Sequence, residues 1–132
     1  MTLFTRPQYE QLLHNGLMNC FGRDFVPVVK LHLPGMDCAW LLTELDPDDP
    51  MMAYGLGDLG THQPHMGSID LANLRTLKLP LNVALEQDEE FIGLYPISVY
   101  ARAADECGLI TEDQDVLRRH QFHRRRPGLY PT

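Results

Sequence analysis

Asp58, His62 and His65 are spaced so that a loop could bring two imidazole nitrogens and a carboxylate to one divalent metal ion, as a metal-dependent hydrolase would require. No cysteine pair joins them, and the simpler reading of residues 61–67 is an exposed polar loop. Such a metal is the one cofactor the sequence suggests; otherwise none is expected. A second His-x-x-His pair, His120 and His123, lies among arginines that would repel a cation. The run Gly55-Leu56-Gly57-Asp58-Leu59-Gly60 has the letters of a dinucleotide fingerprint. Pro64 and Gly67, however, interrupt the helix whose N-terminus would have to meet the pyrophosphate. These glycines instead predict a strand that another backbone or a helix approaches closely.

Glu44, Asp46, Asp48 and Asp49 concentrate carboxylates, but a calcium loop beginning at Asp46 would need glycine sixth and glutamate twelfth, where Met51 and Gly57 stand. A solvated turn is the expectation. For Glu44 the hairpin register described below implies the apolar face beside Trp40 and Leu42, where it would need a partner such as Lys30 or Arg75 or a solvent-open sheet end. No G-x-S-x-G elbow is present, and Cys20, Cys38 and Cys107 form no CxxC pair and have no evident activating base. Their odd number suits reduced thiols in a cytoplasmic protein. Lys30, Trp40, Thr43, Glu44 and Asp58 remain as a possible surface site, set against a structural role for each. Arg118, Arg119, Phe122, Arg124, Arg125 and Arg126 could track phosphates and stack on a base, which makes nucleic acid a possible partner through this segment alone. The alternative is a chain end that folds back onto an acidic body.

The elements that must position these residues can be read from periodicity. Thr5 and Gln8 have capping-box spacing, Pro7 fits a first helical turn, and Asn15-Gly16 predicts the stop of that helix. Two strand-like runs, residues 26–33 and 38–45, flank the turn Pro34-Gly35-Met36-Asp37. Pairing them across it sets Leu33 opposite Cys38, Leu31 opposite Trp40 and Val29 opposite Leu42, which gathers one strongly apolar face. The two prolines of residues 46–50 end the second strand, and a third is predicted over residues 51–58. A loop from Gly60 to Gly67 then leads to a short helix capped by Asp70, with Leu71, Leu74 and Leu77 on its apolar side. Residues 81–85 read as a further strand running into an acidic stretch, residues 86–90. Pro96 opens and Gly108 closes a final helix carrying Ile97, Tyr100, Ala101 and Ala104. The class expected is α+β, a small antiparallel sheet of about four strands with helices packed on one side.

The 132 residues suit one domain, expected over residues 1–117, with residues 118–132 an arginine-rich, flexible C-terminal tail. Apolar residues make up 44% and charged ones 22%, so a packed core is expected, and no apolar run reaches membrane-spanning length. Charge divides the chain. Residues 1–117 hold all 18 acids and only six bases, a formal charge of −12, while residues 118–132 hold five arginines and no acid. A body this acidic would repel phosphates, so its expected partner is a protein.

Three ordered blocks resemble the family called domain of unknown function 2958: residues 26–31 (Val-Pro-Val-Val-Lys-Leu), residues 40–47 (Trp-Leu-Leu-Thr-Glu-Leu-Asp-Pro) and residues 53–60 (Ala-Tyr-Gly-Leu-Gly-Asp-Leu-Gly). Residues 12–16 and 98–101 add to the likeness, which spans roughly residues 3–110 and leaves the arginine segment outside. The resemblance implies carriage on conjugative plasmids and integrated mobile elements and implies no particular activity. With the acidic body, it suggests a non-enzymatic accessory protein that binds a protein, possible host targets being a defence protein or a nucleic-acid enzyme whose basic groove it would fill.

Overall fold

The computed structural model describes residues 3–19, 23–76 and 84–124, and all side chains within them except those at 76 and 122–124. Thr5 caps helix α1 (Arg6–Met18) in a capping box, its hydroxyl accepting from Gln8 N–H while the Gln8 side chain accepts from Thr5 N–H. The predicted stop at Asn15-Gly16 is overridden, and the helix runs on to Met18. Both residues are used in packing instead. Asn15 donates to the Thr43 carbonyl at 2.9 Å, and a Cβ on Gly16 would lie 1.9 Å from the Leu45 carbonyl oxygen, so glycine is what lets the helix lie against the strand.

Strands β1 (Val29–His32), β2 (Ala39–Asp46), β3 (Asp49–Asp58), β4 (His65–Asp70) and β5 (Glu86–Gln87) form one antiparallel sheet in the order β4-β3-β2-β1-β5. The α+β class is as expected, and the hairpin register is the predicted one, with Val29 opposite Leu42 and Leu31 opposite Trp40. Among the described residues the sheet has five strands, where about four were expected. β4 lies where a loop was expected, because Gly67 and Pro64 mask a short edge strand whose backbone pairs with β3 from Gly57 to Met52. β5 falls at Glu86-Gln87, inside the acidic stretch; residues 77–83, which include Leu77 and most of the predicted fourth strand, lie outside the described residues.

Helices pack on both faces of the sheet, not one. Central strand β2 is buried from Trp40 through Leu45, so both its faces need cover. On one face Leu12 of α1 and Leu71 of α2 (Leu71–Thr76) join Val29, Leu31, Leu33, Trp40, Leu42 and Leu45. Asp70 accepts from Asn73 N–H at the start of α2, as its predicted cap. On the other face Leu41 and Leu56 meet α3 (Ile97–Cys107) and α4 (Gln114–Arg124) through Ile97, Val99, Tyr100, Ala103, Ala104 and Leu117. Pro96 and Gly108 bound α3 as predicted, Gly108 with the left-handed φ of 76° that a helix C-terminus favours in glycine. The boundary predicted after residue 117 falls inside α4: Leu117 is a core residue, and Arg118 and Arg119 follow it on the same helix.

Among the described residues, no helix is long and apolar enough to cross a membrane.

Candidate functional site

The five residues singled out as a possible surface site do not converge. Trp40 is buried on the α1 side, its indole resting on Gly57, where an added Cβ would come within 3.2 Å of the ring. Asp58 is 2% exposed and structural: its carboxylate accepts from Gly60 N–H at 2.9 Å and from Ile110 N–H at 3.0 Å, tying the end of β3 to the α3–α4 loop. His62 packs beside Gly108, and His65, the first residue of β4, has its Nδ1 3.3 Å from the carbonyl of Gln63 in the preceding loop. Among the described residues, no three His, Cys, Asp or Glu side chains gather as a metal site would require. The glycine run has a packing explanation too: a Cβ on Gly55 would lie 1.9 Å from the Leu41 carbonyl oxygen.

Thr43 and Glu44 do come together, for a reason the alternating pattern could not show. Leu42 pairs with Gly55, yet Glu44 pairs with Tyr54, so Thr43 is an extra residue on β2 and forms a bulge. That insertion rotates Glu44 off the face of Leu42 and Trp40, where simple alternation had put it. Its partners are Asn19, which donates to Oε2, and Thr43, whose hydroxyl stands 3.4 Å from Oε1, rather than Lys30 or Arg75. Burial pushes the Glu44 carboxyl up from its ordinary range, and the hydrogen bonds from Asn19 and Thr43 hold that shift back. Glu44 borders a cleft of about 390 Å³ with Asp24, Tyr54, Ser98 and Arg102. Ser98 gives Asp24 both its backbone N–H, at 3.0 Å, and its hydroxyl, so this pair secures the start of α3.

Lys30 organises a different region. Its ammonium lies 2.6 Å from Glu112 Oε2 and 3.8 Å from Asp88 Oδ2, with the side chain only 17% exposed. It therefore joins two acidic segments far apart in sequence, Glu86–Glu90 and Glu112–Asp115. A further link is the Tyr95 hydroxyl, which donates to Gln114 Oε1 at 3.3 Å. These two segments hold seven of the 18 acidic residues. Among them Glu86, Glu89, Glu90, Glu112, Asp113 and Asp115 are exposed.

The arginine segment meets carboxylates within the chain. Arg118 pairs with Asp115 one turn away, and Arg119 and His120 both reach Glu106 on α3. His120 and then Arg119 hold the Glu106 carboxyl below its usual range. Phe122 and Arg124 fall on α4, while Arg125 and Arg126 lie outside the described residues.

The model of the family described as "Protein of unknown function (DUF2958)" matches residues 3–111. The chain belongs to this family. No curated protein and no solved structure matches it. The DUF2958 match takes in the Thr43 bulge, Lys30 and the first acidic segment, and it ends just before α4 and the second.

Proposed function

We propose that this DUF2958 protein is a non-enzymatic accessory protein that binds another protein through the acidic face formed by residues 86–90 and 112–115. The observation that carries the reading is the double ion contact of Lys30, which draws Asp88 and Glu112 into one surface. Lys30 and Arg118, the latter paired with Asp115, cannot together neutralise seven carboxylates, so the face keeps a net negative charge that steers and selects a basic partner. In the mobile-element setting that the family resemblance implies, the fitting partner is a host enzyme that grips nucleic acid with basic residues, and occupying that groove would be an anti-defence act. A metal-dependent hydrolase draws no support from Asp58, His62 and His65, since among the described residues no three His, Cys, Asp or Glu side chains gather as a metal site.

The test is capture from host lysate by tagged protein, quantified by mass spectrometry, with two triple variants of equal charge change. Glu86→Lys/Glu89→Lys/Glu90→Lys alters the face, and Asp37→Lys/Asp48→Lys/Asp105→Lys alters exposed acids elsewhere. The expected result is a basic protein held by the native chain and the second variant and lost from the first. Equal capture by all three would overturn the proposal.

A further inference from the structure

Directly after the first acidic segment comes an irregular stretch, residues 91–95, whose side chains alternate in burial. Phe91 and Tyr95 turn inward and pack on Tyr100, with ring centroids 6.1 and 6.3 Å away. The even members turn outward: Ile92 is 73% and Leu94 55% exposed, the former the most exposed large apolar residue among those described. Two such side chains in water run against the hydrophobic effect, and nothing in their own packing rewards them.

The stretch is also held firmly. Leu94 N–H donates to the Tyr100 hydroxyl at 3.2 Å, and Phe91 N–H donates to the Asp88 carbonyl at 3.2 Å. Gly93 presses against the chain before β1 so closely that a Cβ there would lie 2.2 Å from the Pro27 carbonyl oxygen. At its end Ile97 N–H donates to the Phe25 carbonyl at 2.8 Å. Ile92 and Leu94 are thus presented on a preorganised backbone, which lowers the ordering cost of binding.

Their surroundings state the partner's chemistry. Asp88, Glu89 and Glu90 lead directly into the stretch, and the Tyr95–Gln114 hydrogen bond and the Lys30–Glu112 ion pair bring the second acidic segment alongside. An apolar centre with a charged rim is the layout of a protein contact in which the centre supplies affinity and the rim supplies selection. We infer that Ile92 and Leu94 are the anchor of the acidic face, inserting into an apolar pocket rimmed by lysine or arginine on a partner protein. This inference rests on the acidic-face reading and adds to it the contact that holds the complex together.

A fluorescent helical peptide with leucines on one side and lysines on the other supplies both features and serves as the probe, followed by anisotropy. Ile92→Ser/Leu94→Ser should weaken its binding about tenfold or more, since truncating a central anchor is costly. Leu17→Ser/Leu59→Ser, which removes exposed leucines elsewhere, should leave it within about twofold of the native affinity. Circular dichroism should show all three proteins equally folded, because the altered side chains are exposed. Salt-sensitive binding that Ile92→Ser/Leu94→Ser leaves unchanged would overturn the anchor while sparing the acidic face. Absence of binding, or binding indifferent to salt between about 0.05 and about 0.5 M, would overturn both.

Discussion

Glu44 shows how one inserted residue changes a side chain's environment. The Thr43 bulge moves its carboxylate to the cleft beside α3, where burial favours the protonated form. Because the folded-state pKa is raised, the native state binds more protons than the unfolded one between the two values. Ionised Glu44 therefore weakens the fold increasingly as pH climbs from the ordinary glutamate range through the raised one. Glu44→Gln removes this dependence. Urea unfolding of the two proteins should show the variant gaining on the native chain as pH rises from about 4 to about 8. A constant difference across that range would contradict the assignment. Asp58 serves the packing: its two backbone donors make it a clamp between β3 and the α3–α4 loop, which accounts for a buried aspartate.

Among the elements, the contact of α1 with β2 depends on Gly16. A glycine-to-alanine change on an open helix surface normally adds stability. Here the new methyl would meet the Leu45 carbonyl oxygen, so Gly16→Ala should cost more than about 2 kcal/mol in urea unfolding, with the slope of the transition unchanged. A stabilised variant would mean that α1 does not lie where the structure puts it. This glycine also marks what the sequence could and could not convey. The β1–β2 register was legible because pairing across the turn at residues 34–37 gathers Val29, Leu31, Trp40 and Leu42 on one face and leaves Lys30 and His32 on the other. The end of α1 was not, since Asn15-Gly16 has the letters of a stop and only the approaching strand gives it another use. β4 was hidden by Gly67 for a related reason: an edge strand can accept a residue that adds no side-chain packing. The bulge at Thr43 leaves no mark on the alternation, so the position of Glu44 could not be read from it. Ile92 and Leu94 left no signal either, because Phe91, Ile92, Leu94 and Tyr95 are all apolar or aromatic, and which of them is exposed depends on the packing of Phe91 and Tyr95 around Tyr100.

For the whole molecule, charge is distributed by tertiary structure rather than by position along the chain. The body of residues 1–117 and the arginines after it had suggested two electrostatic units. Helix α4 joins them, since its first turn holds Asp115 of the acidic face and a later turn carries Arg119 back to Glu106 on α3. With Arg118 and Arg119 engaged in this way, and with more carboxylates than cations on the acidic face, the partner proposed for that face is a protein rather than nucleic acid. The most direct measurement is zero-length carbodiimide coupling of the captured complex, which joins a carboxylate only to an amine already in contact, followed by mass spectrometry of the linked peptides. The proposed binding mode predicts links from Glu86, Glu89 and Glu90 to lysines of the partner. Links confined to Asp46, Asp48, Asp49 or Asp105, with none from the predicted face, would contradict it.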